Sequence, residues 1–258
     1  MNSHLKKLND INEYMTDIFL DLIYPDNISC IICNKPINKN NTYSMCKDCF
    51  NELHFILDGC IKCGKPIINC SLEEHDIDEC SYCSGKEFYF DKAISCIEYN
   101  DFSKKMIFGF KYSNKTYMSR YIASIMKEKL ILEGINFDYI LFVPLHKSRL
   151  KKRGFNQAYK IAKYLSKEFN IPVLDCIVRK ENTKRLYKLR KKERRNELRD
   201  AFILKKNKIY LENKNIILVD DIFTTGATVN EISRILKLEG ANLITVSTFL
   251  TGANTLSC

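Results

Sequence analysis

IILVDDIFTTGATVNEISRIL, residues 216–236, is the stretch on which the fold turns. Ile216–Val219 are four consecutive apolar residues, the pattern of a central strand covered on both faces. Asp220 and Asp221 follow at its carboxyl end. Thr224, Thr225, Gly226, Ala227 and Thr228 then turn into a helix. Small residues let successive backbone N–H groups converge, the hydroxyls add donors, and the helix start contributes positive potential. Together they make a cradle for phosphate. Two adjacent carboxylates beside a phosphate are unfavourable unless they meet hydroxyls or a divalent cation. A phosphorylated sugar with Mg²⁺ supplies both. Neither GxxxxGK[ST] nor GxGxxG occurs, so this is not the triphosphate loop or the dinucleotide turn. An acidic turn before an N-capping threonine would explain any one of these residues, but not the whole string.

Outward from this segment, strands alternate with helices. Ala93–Tyr99 reads as a strand and Thr116–Leu132 as a helix. Tyr139–Val143 is a continuous apolar run, Asn156–Phe169 a helix, and Val173–Val178 a strand. After the Ile216–Val219 strand come a helix over Val229–Glu239 ending at Gly240, and a strand over Leu243–Leu250. The order predicts an α/β domain, with a central parallel sheet and helices on both faces. Ligands of such sheets bind beyond the carboxyl ends of the strands.

The N-terminal third has another texture. Eight of the twelve cysteines form four CxxC pairs: Cys30/Cys33, Cys46/Cys49, Cys60/Cys63 and Cys80/Cys83. Two intervening residues let one turn aim both thiolates at a single ion, and two such turns complete zinc's tetrahedron. The simplest pairing is sequential, Cys30, Cys33, Cys46 and Cys49 on one Zn²⁺ and Cys60, Cys63, Cys80 and Cys83 on a second. A crossed pairing has the same spacing. NKPI follows Cys33 and GKPI follows Cys63, so the module is an internal repeat of two ribbons. Buried thiols or a redox pair would explain one CxxC, not four in succession. Closed four-thiolate sites leave no position for substrate, so the metals are structural and supply folding energy. Cys70, His75, Cys96, Cys176 and Cys258 stand outside the pattern; Cys70 or His75 could substitute at the second site.

The whole chain has 258 residues, with 41 Lys+Arg against 31 Asp+Glu and a net charge of +10. That length suits one large domain or two smaller ones, and the charge favours anionic partners. No run approaches the roughly 18 apolar residues of a membrane span, and the first residues lack a signal peptide's apolar core. The expectation is a cytoplasmic protein without membrane insertion. Residues 11–25, INEYMTDIFLDLIYP, have helical apolar spacing stopped by Pro25, with acids that disfavour an anionic lipid surface.

Two basic segments remain. VPLHKSRLKKRGFNQA, residues 143–158, follows the apolar strand. The stretch from Arg179 to Arg199 is mostly basic and short of large apolar residues. Its composition fits a solvated charged helix or a surface for nucleic-acid phosphates.

VDDIFTTGAT resembles the ribose-5-phosphate signature of type I phosphoribosyltransferases. With the CxxC ribbons, RGFNQ and KKERRNELRDAF (191–202), the chain resembles the ComF-type competence phosphoribosyltransferase family over essentially its whole length. The resemblance implies a type I phosphoribosyltransferase fold over 88–258, preceded by an N-terminal helix and double zinc ribbon over 1–87. It implies phosphoribosyl pyrophosphate with Mg²⁺ as ligand. Asp220 and Asp221 would hold the ribose hydroxyls, and Thr224, Thr225, Gly226, Ala227 and Thr228 the 5′-phosphate. Arg149, or failing it Lys147, would meet pyrophosphate. The stretch from Arg179 to Arg199 would be a lid over bound substrate. It also implies a link to DNA uptake, with single-stranded DNA and a DNA-uptake helicase as partners. One departure from the family pattern is Leu186, where a glutamine is usual. Two classes of function follow: a phosphoribosyltransferase, or a non-catalytic DNA-binding or ligand-sensing protein on that scaffold.

Overall fold

The computed structural model describes residues 28–38, 40–67, 80, 82–112, 116–180, 201–205 and 210–252. The expected helix over 11–25, Cys70, His75, Cys258, Leu186 and residues 181–199 lie outside them.

Seven strands and six α-helices follow the short 3-10 turn Thr42–Ser44 among the described residues. They are α1 (Lys47–Asn51), β1 (Lys92–Ile97), α2 (Asp101–Tyr112), α3 (Met118–Leu132) and β2 (Tyr139–Phe142). Then come α4 (Lys147–Arg153), α5 (Gln157–Phe169), β3 (Val173–Leu174), β4 (Ile177–Arg179) and β5 (Phe202–Leu204). The chain ends in β6 (Ile216–Phe223), α6 (Ala227–Leu238) and β7 (Ile244–Thr251). Five strands form one parallel sheet in the order β1-β7-β6-β2-β3. The chain leaves β2 towards β3 but leaves β6 towards β7, in the opposite direction. A crevice therefore opens where β2 and β6 end, the position at which open parallel sheets take ligands.

Alternation along β6 explains its uniform hydrophobicity. Ile217 and Val219 join a core with α2, α3 and α5 residues such as Phe110, Ile122 and Ile161. Ile216 and Leu218 join a second core with Val229, Ile232 and Leu236 of α6. Both faces are covered, as the apolar run predicts.

Several elements differ from the sequence expectation. The strand carrying the acids runs on to Phe223, because Asp220, Ile222 and Phe223 stay in register with Thr248, Leu250 and Thr251 of β7. The expected Val173–Val178 strand is two: β3 joins the main sheet, while β4 pairs antiparallel with β5. Helix α2 was not expected, although Asn100 and Ser103 cap it reciprocally. The Ser103 N–H donates to Asn100 Oδ1 at 2.7 Å, and the Asn100 N–H to Ser103 Oγ at 2.9 Å.

The cysteine repeat folds twice alike. In each ribbon the first cysteine's N–H donates to the lysine carbonyl five residues on, Cys30 to Lys35 and Cys60 to Lys65, both at 2.8 Å. Asn34 and Gly64 take the left-handed conformation at the equivalent position. Asparagine suffices in the first copy. In the second, a Cβ at Gly64 would lie 2.6 Å from the Ala93 carbonyl oxygen, so packing on β1 demands glycine. The two ribbons clasp the β1 edge of the sheet. Cys30 and Cys49 belong to the first core, Cys60, Cys63 and Cys83 to the second. The connection between them covers β1, with Ile56 N–H donating to the Cys96 carbonyl at 2.9 Å and Glu98 N–H to that of His54 at 2.9 Å. That hides an edge otherwise open to pairing.

Candidate functional site

The cysteine quartets are the plainer of two sites. Within each set, Cys30/Cys33/Cys46/Cys49 and Cys60/Cys63/Cys80/Cys83, the four Sγ atoms lie within 4.8 Å of one another. The pairing is sequential and not crossed. A zinc–sulfur bond of about 2.3 Å sets tetrahedral sulfurs roughly 3.8 Å apart. Cys33 and Cys46 stand 3.7 Å apart, Cys63 and Cys80 3.5 Å, and Cys80 and Cys83 3.8 Å. These spacings fit Zn²⁺ with all four positions taken by sulfur, a structural role.

The second site lies at the crevice. Adjacent side chains on a strand leave it in opposite directions, so Asp220 and Asp221 diverge. Asp221 is almost wholly buried and its Oδ2 meets Lys111 Nζ of α2 at 2.8 Å. Asp220 is half-buried, and its Oδ1 accepts from the Asp221 N–H at 2.8 Å. Burial pushes the Asp220 carboxyl up to about 7, and the negative charge of Asp221 adds to the rise. The Asp221 N–H, Lys111 and Arg179 oppose it without cancelling it. The sequence gives the two acids the same role. The structure separates them, because Lys111 already neutralises Asp221.

Beyond β6 the turn is shaped as expected. Gly226 has φ +71°, and a Cβ there would meet the Phe223 ring at 2.7 Å. Only glycine fits this approach. Thr224 and Thr225 are exposed, Ala227 and Thr228 half-buried, and α6 begins immediately after Gly226. The Ala227 N–H donates to Thr225 Oγ1 at 3.4 Å.

Arg149 and Lys147 stand on α4, a short helix that follows β2. His146 caps it, its Nδ1 accepting from the Ser148 N–H at 3.2 Å, and Gly154 ends it in the left-handed region. The RGFNQ string explains how the helix is held. Asn156 caps α5 by accepting from the Tyr159 N–H at 3.3 Å, and its Nδ2 donates to the Val143 carbonyl at 3.0 Å. Asn156 thereby ties α5 to the residue that follows β2. Lys147 is exposed. Arg149 acts on Arg179, which in the sequence is only the start of a basic stretch. Arg179 is buried at the end of β4, with its guanidinium 5.2 Å from the centre of the Phe202 ring. Burial pulls it down to about 10, the Arg149 charge adds to the fall, and Asp220 opposes it. The structure thus brings Asp220, Arg149 and Arg179 within electrostatic reach. No local pattern marked Arg179 or Lys111, since each gains its meaning from a partner far away in the chain.

A parallel α/β domain with a threonine-glycine turn at the strand switch, clasped by two four-cysteine ribbons, defines a class. Residues 19–85 match the double zinc ribbon domain family, and 150–256 the phosphoribosyl transferase domain family. Competence protein F of Haemophilus influenzae is 30% identical over 228 residues, which cover 85% of this chain and 95% of that protein. DNA utilization protein YhgH of Escherichia coli K12 is 26% identical over 84% of this chain and 94% of its own. Competence protein ComFC of Streptococcus pneumoniae is 25% identical over 83% and 96%. The chain belongs to the ComF-type competence protein family.

Proposed function

We propose that this protein binds phosphoribosyl pyrophosphate with Mg²⁺ in the crevice between β2 and β6. The observation that carries the reading is the Thr224–Thr228 turn, with exposed hydroxyls and a close-packed Gly226 directly after Asp220 and Asp221. Thr224, Thr225, Gly226, Ala227 and Thr228 hold the 5′-phosphate through backbone N–H groups and hydroxyls. Asp220 accepts hydrogen bonds from the ribose hydroxyls, while Asp221 keeps Lys111 in place. Arg149 meets the pyrophosphate, with Lys147 at the rim. Mg²⁺ would arrive on the pyrophosphate oxygens, which it prefers together with one or two carboxylates, and Asp220 is the carboxylate open to it. If transfer occurs, the anomeric carbon–pyrophosphate bond breaks through an oxocarbenium-like state. Arg149 then stabilises the departing charge, and the crevice holds the ribose in line.

The names of the relatives point to competence and DNA use. On that ground we assign this protein to DNA uptake; the family resemblance, not the names, suggests single-stranded DNA and a DNA-uptake helicase as partners. Among the described residues no helix is long and apolar enough to cross a membrane. Calorimetry with phosphoribosyl pyrophosphate and Mg²⁺ tests the ligand. Wild type should bind, and Asp220→Ala, which spares the Lys111 ion pair, should bind about tenfold or more weakly. That is the loss of one or two hydrogen bonds to a charged group. Equal affinity would put the ligand elsewhere.

A further inference from the structure

The two ribbons are copies, but the structure uses one repeat position in two ways. Lys35 and Lys65 each follow the first cysteine pair, in NKPI and GKPI. Asp48 and Tyr82 each hold the second place between the later pair. In the first ribbon Lys35 meets Asp48 at 3.3 Å in the open, with side chains 65% and 80% exposed. In the second, Lys65 is 3% exposed, its Nζ 4.4 Å from the centre of the Tyr82 ring. Both second-ribbon residues reach the end of the sheet. Lys65 Nζ donates to the Gly252 carbonyl at 3.1 Å, and the Tyr82 hydroxyl to the Thr224 carbonyl at 3.3 Å. Gly252 in turn donates its N–H to the Phe223 carbonyl, and it sits so close that a Cβ would lie 2.9 Å from Thr224 Cα.

These bonds decide which way the turn's peptides face. In a trans peptide the carbonyl and the following N–H point in opposite directions. With the Phe223 carbonyl held by Gly252 and the Thr224 carbonyl held by Tyr82, the Thr224 N–H is turned away from Gly252 and the Thr225 N–H away from the Tyr82 hydroxyl. Two successive N–H groups held that way form an anion-binding concavity.

We propose that Lys65 and Tyr82 are positioning residues for the phosphate turn. The second zinc ribbon orients the Thr224 and Thr225 N–H groups for a 5′-phosphate, and the first ribbon takes no part. This rests on the reading of that turn as the phosphate site. Because coupling between two sites is reciprocal, phosphate bound in the turn also holds the second zinc more firmly.

The test uses the full zinc-loaded chain with Tyr82→Phe, Lys65→Met and, as control, Lys35→Met. Each is checked for two equivalents of zinc by elemental analysis, then titrated calorimetrically with ribose 5-phosphate and separately with pyrophosphate. Losing one orienting hydrogen bond should weaken ribose 5-phosphate by roughly threefold to tenfold in Tyr82→Phe and Lys65→Met. Pyrophosphate affinity should hold, and Lys35→Met should match wild type on both. In a chelator challenge, saturating ribose 5-phosphate should slow release of one of the two zinc ions from wild type. Tyr82→Phe should lose that protection. A merely structural role would weaken both ligands alike and show no ligand-dependent protection, and either result overturns the proposal. Should Lys65→Met misfold, Tyr82→Phe and the chelator challenge decide alone. Wild type that binds no ribose 5-phosphate would remove the phosphate reading together with this inference. Binding that Tyr82→Phe leaves unchanged would remove the inference only.

Discussion

Asp220 and Asp221 are neighbours in different surroundings, and separate tests should tell them apart. Asp220 has its folded pKa raised from 3.8 to about 7. The folded chain therefore holds that proton more tightly than the unfolded chain does. The stability it lends is complete below about pH 4 and is lost as pH rises through 7. Urea unfolding between pH 4 and 8 should show wild type losing stability relative to Asp220→Asn, which carries no such proton. Ligand binding should run the other way. The ionised carboxylate accepts from two hydroxyls more strongly than the neutral acid, so affinity for phosphoribosyl pyrophosphate should climb as pH passes 7 and stay flatter in Asp220→Asn. Asp221 answers to a different test. Its ion pair with Lys111 has both side chains at 15% exposure or less. Asp221→Ala strands a buried cation and should cost about 3 kcal/mol, while adding Lys111→Met should recover much of it. A double-mutant cycle by chemical denaturation measures this.

At the scale of elements, the junction between the second ribbon and β1 is the tightest. The Gly64 backbone lies against Ala93 with no room for a methyl group, at φ +67°. Gly64→Ala should lift the second ribbon from the sheet edge, at a cost of at least about 1 kcal/mol in backbone strain alone. Hydrogen exchange should then speed up at the β1 amides while those of β2 stay protected. Much at this scale was legible in the sequence. The β2 and β6 runs and the α5 and α6 periodicities are local patterns, and the elements appear where those patterns fall. The division of Val173–Val178 into β3 and β4 was not legible. Its residues have ordinary strand propensity throughout, and the choice between the main sheet and a side ribbon lies with β5, more than twenty residues further on.

For the whole molecule, metal and sheet stand together. The buried ribbon cysteines sit in the same two hydrophobic cores as the central strands. From spacing alone, Cys30→Ser is expected to release one ion and leave the sheet domain intact. The shared core predicts instead that losing either zinc lowers the melting temperature of the α/β domain as well, seen by calorimetry before and after chelation. The proposed DNA binding belongs to this scale too, since it would depend on the summed charge. If Arg179–Arg199 meets single-stranded DNA, replacing Lys191, Lys192, Arg194 and Arg195 with Gln should flatten the salt dependence of binding. The logarithmic slope should fall by about 0.7 for each phosphate no longer neutralised. An unchanged slope would assign those charges to another role.

The sequence by itself determined the parallel α/β class, the four CxxC pairs and the glycine turn after the acids, while the sequential grouping of those pairs into quartets came from the structure. Each depends on spacing within a few residues, where bond geometry and side-chain period leave few solutions. Only the tertiary structure decided that Asp221 belongs to Lys111, that Arg179 is buried within reach of the Arg149 charge, and that Lys65 reaches Gly252 and Tyr82 reaches Thr224. Those assignments join residues tens to nearly two hundred positions apart. Their energy comes from burial and from hydrogen bonds that exist only once the sheet and its two ribbons have closed on one another, so no local pattern carries them.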